Sequence, residues 1–91
     1  MIVSFSIFLE MNMSNLNPLK SFGLRLVEVR KAKGLSQEKL ALESGIARSY
    51  LSGVERGLRN IALINIYKLA DTLDVTPSVL LEPPQSDNLG K

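Results

Sequence analysis

The chain has 91 residues, a formal net charge of +2, and neither cysteine nor histidine. That length suits one small domain with short flanks; a helical core of about sixty residues lies near the lower size limit, where oligomerisation helps. Without Cys or His there are no disulfides, thiolate nucleophiles, Cys/His zinc sites or imidazole acid–base groups. The composition therefore argues against an enzyme, implies no cofactor or metal, and fits a cytoplasmic location, since nothing depends on an oxidising compartment.

Positive charge is concentrated in the middle of the chain. Between residues 20 and 60 there are nine Lys or Arg against four Glu, whereas residues 61–91 carry two Lys against four acidic residues. A nucleic-acid contact surface requires such a local excess. The alternative is that a chain with 22% charged residues scatters solvated side chains over its whole surface.

The N-terminal segment, residues 1–17, leaves several interpretations open. Its first nine residues are apolar but too short to span a bilayer, and they lack the basic start and small-residue cleavage site of a signal peptide. From Val3 to Leu9 apolar residues recur at every second position, which is the period of a strand. The segment is therefore a disordered leader ahead of a later start, an edge strand that pairs with its copy in a second subunit, or a cover over an apolar patch of the helices.

Two helices are predicted after this segment. Asn17 before Pro18 is typical of a helix cap and first helical position. The first helix is predicted to run to about Lys33, where Gly34 stops it, and Ser36 is predicted to cap the second helix. The inward-facing residues predicted for the first helix are Phe22, Leu26 and Val29.

Residues 37–56 predict two short helices joined by a tight turn at Gly45, which can take the left-handed conformation that ends a helix. The predicted inward-facing residues of this stretch are Leu40, Ala41, Ile46, Ala47, Leu51 and Val54. The second of the two helices has one apolar half and one short, polar, cationic half. The polar half contains Arg48, Ser49, Ser52, Gly53 and Arg56. Such a surface suits base edges and phosphates in a major groove.

A fourth helix is predicted from about residue 63 to residue 73, with a start that frays or is capped by Asn60. Its predicted core residues are Leu63, Ile66, Leu69, Ala70 and Leu73. Thr76 and Pro77 are predicted to open a short fifth helix that ends at about Leu81. The predicted organisation is therefore an N-terminal extension over residues 1–17, a helical domain over residues 18–82 and a polar tail over residues 83–91.

These segments resemble a known family, the phage repressor and Cro-like regulators, often called the xenobiotic-response-element (XRE) family. Its helix-turn-helix is similar, without gaps, to Gly34-Leu-Ser-Gln-Glu-Lys-Leu-Ala41, Gly45-Ile46 and Ser49-Tyr-Leu-Ser-Gly-Val-Glu-Arg-Gly57. Its next loop and fourth helix are similar to Arg59-Asn60 and Leu69-Ala-Asp-Thr-Leu-Asp-Val75. The resemblance covers residues 22–81 and implies an all-α, five-helix, lambda-repressor-like DNA-binding domain.

The same resemblance implies roles for individual residues. The run from Arg48 to Arg56 is also similar to the controller proteins of restriction–modification systems, which are similarly short. Gln37 is implied to clamp a phosphate, with a solvent-exposed amide as the alternative. Arg30 and Glu55 are implied to form a salt bridge between the first and third helices, which would make Arg30 structural.

Eight residues form the predicted DNA contact set, which is Gln37, Arg48, Ser49, Tyr50, Ser52, Arg56, Arg59 and Asn60. Arg48 is predicted to bond O6 and N7 of a guanine, worth about 1–3 kcal/mol of discrimination; a phosphate or solvent contact is the alternative. The two serines can bond base edges or phosphate. Arg56, Arg59 and Asn60 are predicted to contact phosphates, and such contacts set affinity and register rather than sequence choice.

Two residues of the third helix have two interpretations each. Gly53 inside a helix costs about 1 kcal/mol relative to Ala, so it is expected to allow close approach of DNA or tight packing against a neighbouring element. Tyr50 is either a core residue with an exposed hydroxyl or a contact at the margin of the groove.

The function predicted from the sequence is a transcriptional regulator that binds a symmetric operator in double-stranded DNA as a homodimer, as a repressor or autoregulator. Dimerisation is predicted through the fifth helix, using Val79, Leu80 or Leu81, with help from residues 1–9. No membrane or small-molecule partner is expected. The alternative function is a protein-interaction module, such as an antitoxin or a bridging factor, in which DNA binding is secondary.

Overall fold

The computed structural model describes residues 17–85, and every regular element in that part of the chain is a helix. The helices are α1 Pro18–Ala32, α2 Gln37–Ser44, α3 Arg48–Glu55, α4 Leu63–Leu73 and α5 Pro77–Leu81. This confirms the predicted all-α, five-helix class, whereas the interpretations of residues 1–16 lie outside the described residues. Within the described part, no helix combines the length and the apolar character that crossing a membrane would need.

Local sequence signals set the first two helix starts and the turn between α2 and α3. The Asn17 side chain accepts a hydrogen bond from the N–H of Lys20 at 2.8 Å, and the Ser36 hydroxyl accepts one from the N–H of Lys39 at 3.0 Å. These bonds satisfy donors that a helix start leaves without partners. Gly45 ends α2 with a φ of 76°, a conformation that suits glycine. Both predicted caps and the predicted turn are confirmed.

Helices α4 and α5 begin at the predicted residues, Leu63 and Pro77, but no side-chain hydrogen bond caps either start. Ala62 occupies the capping position of α4 without a side-chain hydrogen bond, while the Asn60 side chain accepts from the N–H of Ile61. Thr76 has the backbone geometry of a cap, but its hydroxyl lies 2.9 Å from that of Ser78 and makes no capping bond to α5. Tertiary packing of the apolar faces, rather than capping, therefore holds these two helices in place.

One apolar core lies between the helices. Helix α1 packs against α3 and α5, α2 packs against α3 and α4, and α4 packs against α5. The buried apolar residues are Leu26, Val29, Leu40, Ala41, Ile46, Leu51, Val54, Ile66, Leu69, Ala70, Leu73 and Leu80. Phe22 and Val79 are partly buried against this core. Because α3 contacts both α1 and α2, the core holds one of its faces and leaves the other outward.

Two predictions about burial are wrong, and a third residue changes its candidate role. Leu63, the first residue of α4, is 66% exposed, and Ala47, the capping residue of α3, is also exposed. Both lie at helix ends, beyond the turns that cover the core, so helical spacing extrapolated to a terminus overestimates burial. Leu80 is fully buried; it serves the core of its own chain and is removed from the candidate dimer surface.

Candidate nucleic-acid interface

Helix α3 lies directly against α1 at Gly23. A Cβ atom added to Gly23 would lie 2.5 Å from the carbonyl oxygen of Glu55 and 2.6 Å from that of Val54. Those carbonyls belong to the backbone of α3 and cannot swing aside as a flexible side chain can. Only glycine therefore permits this separation of α1 and α3, and the contact sets how the end of α3 sits on the domain.

A buried ion pair joins the same two helices. The Nε of Arg30 donates to Oε2 of Glu55 at 2.7 Å, and its Nη2 donates to Oε1 at 3.0 Å. The two side chains are only 11% and 4% exposed. The Nη1 of Arg30 donates to the carbonyl oxygen of Leu35 at 2.9 Å. A planar guanidinium facing a carboxylate with two parallel bonds restricts direction as well as distance. The salt bridge predicted between Arg30 and Glu55 is confirmed.

Helix α2 joins this ion pair through Gln37. The side-chain amide of Gln37 donates to Oε1 of Glu55 at 2.8 Å, and the residue is half-buried at the first position of α2. One carboxylate thus ties α1, α2 and α3 together. Within residues 17–85 no buried side-chain nitrogen or oxygen lacks a hydrogen-bond partner. The Gln37 bond was missed at the sequence level because its partner lies on another helix and no local pattern indicates it.

The outward half of α3 is exposed and polar. Arg48, Ser49 and Arg56 are exposed, and Ser52 is half-buried. The Arg48 guanidinium lies 3.5 Å from the Glu38 carboxylate of α2, and the two side chains are 59% and 73% exposed. An ion pair so open to water is weak. The structure therefore brings the predicted reading residues onto one accessible surface, with Arg48 only loosely held.

The loop after α3 is held against it by Tyr50. The tyrosine is half-buried, and its hydroxyl donates to the carbonyl oxygen of Asn60 at 2.9 Å. The guanidinium carbon of Arg59 lies 6.0 Å from the centre of the Tyr50 ring. Gly53 is buried, and a Cβ there would lie 2.5 Å from Cγ of Arg59. Of the two interpretations of Gly53, the free protein thus shows tight packing, and its neighbour is the Arg59 side chain.

Not every Lys or Arg between residues 20 and 60 is available to a ligand. Arg25 of α1 donates to the carbonyl oxygen of Val79 at 2.8 Å, and it also pairs with Glu28 at 3.2 Å and Glu82 at 2.8 Å. The bonds to Val79 and Glu82 fasten the end of α5 to α1. Arg25 is therefore structural, which the count of charges along the sequence could not reveal because two of its partners lie more than fifty residues away.

Comparison with known proteins places this arrangement in a family. Residues 26–80 match the helix-turn-helix family HTH_3. The control protein C.BamHI of Bacillus amyloliquefaciens is 45% identical over 62 residues, which cover 67% of this chain and 76% of that protein. The restriction–modification controller protein C.AhdI of Aeromonas hydrophila, seen in a crystal structure, has 61% identity and a TM-score of 0.67 over 68% of this chain and 94% of its own.

A third similar structure contains DNA. It is the crystal structure of the master regulator for biofilm formation SinR in complex with DNA, with 40% identity and a TM-score of 0.64 over 67% of this chain and 98% of the other. These relatives are control proteins and transcriptional regulators, not enzymes. The chain belongs to the HTH_3, or XRE-type, helix-turn-helix family of DNA-binding transcriptional regulators, and restriction–modification controller proteins are among its close relatives.

Proposed function

We propose that this chain is a cytoplasmic transcriptional regulator that recognises a symmetric operator as a homodimer and acts as a repressor or autoregulator. The observation that carries the proposal is the exposed polar half of α3, held by a buried ion pair on its other side. A helix placed in this way can enter a major groove without rearranging the domain. The likeness to a regulator solved in complex with DNA supports the proposal.

In this proposal Arg48 reads sequence. It lies at the first position of α3, and its side chain is exposed. A guanidinium that reaches a guanine can donate to O6 and N7 together, which distinguishes guanine from the other bases. Ser49 lies beside it and Ser52 one turn further, where their short hydroxyls can bond base edges or phosphate without keeping the helix out of the groove.

A second group of residues holds the DNA backbone. Arg56 ends α3, and Arg59 and Asn60 lie exposed in the loop that follows. Gln37 fits the group because a side-chain amide has two N–H bonds. One donates to Glu55, so the other can donate to a phosphate and connect the DNA to the buried ion pair. Tyr50 contributes at the groove margin through the loop that its hydroxyl holds.

The proposed dimer surface combines α4 and α5. Leu63, Ile64 and Tyr67 are exposed at neighbouring positions near the start of α4, and Leu81 is exposed at the end of α5. The two helices pack against each other. Four large exposed apolar side chains on two adjoining helices offer a second copy apolar surface to bury, which would stabilise so small a domain. Recognition of a symmetric operator requires that a second copy bound there bring the two α3 helices to half-sites about 34–36 Å apart, one turn of the duplex.

The dimer surface can be tested with paired substitutions in the full chain. Ile64→Asp and Leu81→Asp should each shift the mass in sedimentation from dimer to monomer, because each buries a charge in the interface. Leu42→Asp is the matched control, since Leu42 is exposed on α2. Dimeric mass for both test variants would contradict this surface while leaving the DNA-binding proposal intact.

The function itself is tested by selecting bound fragments from random duplex DNA. We expect two inverted half-sites related by a two-fold axis, one helical turn apart, and an affinity that falls steeply with salt because phosphate contacts release counterions. If the parent protein shows no salt-dependent DNA binding, the proposal is wrong and the protein-interaction alternative replaces it.

A further inference from the structure

Gly53 is an unexpected residue for the middle of a recognition helix. Glycine weakens a helix interior relative to alanine because it has more conformational freedom to lose. It is nevertheless buried in α3, where it presents no side chain to DNA or to the core. A compensating contact is therefore needed at the place where a side chain would lie.

The compensating contact is the stem of Arg59. A Cβ on Gly53 would lie 2.5 Å from Cγ of Arg59 and 3.6 Å from its Cβ and Cδ, whereas carbon atoms pack comfortably at about 3.5–4.0 Å. The position of Cγ is set by the first side-chain torsion of Arg59. A methyl group at Gly53 would therefore force Arg59 into another rotamer, since tipping the far end of the side chain would not relieve the overlap.

Tyr50 controls the other end of the same side chain. The guanidinium carbon of Arg59 lies 6.0 Å from the centre of the Tyr50 ring, at the outer range of a cation–π contact. The Tyr50 hydroxyl also holds the carbonyl of Asn60, the next residue. Arg59 thus has its stem in the gap left by Gly53 and its charge over Tyr50, and the backbone of the residue after it is held by the Tyr50 hydroxyl.

We propose that Gly53 is a positioning residue for DNA binding, which keeps Arg59 in one conformation before DNA arrives. The proposal rests on the proposed function, in which Arg59 contacts a phosphate. A side chain that is already ordered loses less conformational freedom on binding. It also holds the phosphate at a constant distance from the base edges that Arg48 reads, so Gly53 acts on DNA through Arg59 without touching it.

The test is a double-mutant cycle of Gly53→Ala and Arg59→Ala, titrated against cognate DNA at several salt concentrations. We expect Gly53→Ala alone to weaken binding by roughly 2- to 12-fold, the effect of ordering one long side chain. In the Arg59→Ala background it should have no effect on binding, because no stem remains to be displaced. Lys68→Ala removes an exposed positive charge from α4. It is the control for the part of the Arg59→Ala effect that comes only from losing one positive charge.

Two readouts without DNA show whether the contact itself exists. In the Arg59→Ala background Gly53→Ala should raise the melting temperature by about 4–8 °C, since alanine favours the helix and nothing obstructs it; with Arg59 present the gain should be smaller or absent. In the parent protein an NOE is expected between the Gly53 α-protons and the Arg59 γ-protons, and Gly53→Ala should change the Arg59 side-chain shifts.

Three outcomes would overturn the proposal. Equal weakening by Gly53→Ala in both backgrounds would mean that Gly53 itself approaches DNA. Full affinity of Gly53→Ala with Arg59 present would mean that Arg59 needs no positioning. Equal gains in melting temperature in both backgrounds would mean that the two residues are not in contact. A parent protein that binds no DNA would instead overturn the proposed function, which the first titration of the series reveals.

Discussion

The two sides of α3 are built in opposite ways. On the inner side, Gly23 brings the backbone of α1 against that of α3, and Glu55 accepts hydrogen bonds from Arg30 and Gln37. On the outer side, the one ionic partner of Arg48 among residues 17–85 is the exposed carboxylate of Glu38, 3.5 Å away. Orientation thus depends on buried, directional contacts, while the residues that would meet DNA remain lightly held and ready to change partners.

The two ion pairs make the difference quantitative. Arg30 and Glu55 approach to 2.7 Å with side chains 11% and 4% exposed; Arg48 and Glu38 approach only to 3.5 Å, with side chains that are mostly exposed. Removing one partner of a buried pair leaves an uncompensated charge in a poorly solvated place. An exposed pair loses little when it separates, because water replaces the partner. Arg48 can therefore leave Glu38 for a base at small cost.

The largest effect is expected from Glu55→Ala. This substitution leaves the buried Arg30 without its carboxylate partner and removes the acceptor of the Gln37 amide. The free energy of unfolding should therefore fall by about 3–5 kcal/mol. Denaturant titration and the melting temperature measure it. The matched control is Glu43→Ala, which breaks the exposed pair with Lys39 and should cost about 0.3–0.5 kcal/mol. Equal stability of the two variants would mean that the inner side of α3 is not held by this network.

The second-largest loss of stability is expected from Gly23→Ala. The added methyl group meets the Val54 and Glu55 carbonyls of α3, so the two helices must separate, at about 1–3 kcal/mol. In an unobstructed helix the same change would stabilise by about 1 kcal/mol. Thermal unfolding shows directly whether the melting temperature of Gly23→Ala falls or rises. A stabilised variant would show that α1 and α3 do not cross so closely.

The smallest effect is expected on the outer side, from Glu38→Gln. Because its pair with Arg48 is exposed, the free energy of unfolding should change by less than about 1 kcal/mol. Affinity for any duplex should rise slightly, since a negative charge is removed beside the proposed phosphate contacts. Unfolding and binding to a scrambled duplex are the measurements. A loss of stability approaching that of Glu55→Ala would erase the distinction between the two sides.

Much of the fold could be predicted because its signals are local. Asn17, Ser36 and Gly45 each act on backbone groups within a few residues, so a single stretch of sequence contains cause and effect. Burial at helix ends was less predictable, as the exposure of Leu63 illustrates. There the outcome depends on where the neighbouring helices stop, which helical spacing does not encode.

Contacts between side chains in the candidate site were harder to predict than which half of α3 is exposed. The exposed half of α3 follows from helical periodicity, but the salt bridge of Arg30 was expected only through the family resemblance. The bond from Gln37 to Glu55 and the contact of Gly53 with Arg59 join residues on different elements. Such contacts arise from how helices pack and how the loop after α3 folds back on it, so no spacing along the chain predicts them.

The central claim is that the exposed Arg48 reads sequence, whereas Arg59 contacts a phosphate and only holds the domain on the DNA. The most direct measurement compares Arg48→Ala with Arg59→Ala on cognate and scrambled duplexes at several salt concentrations. Arg48→Ala should weaken the cognate site selectively by about 1–3 kcal/mol, while Arg59→Ala should weaken both duplexes alike and reduce the salt slope by about one per subunit. An unchanged ratio of cognate to scrambled affinity in Arg48→Ala would contradict the account.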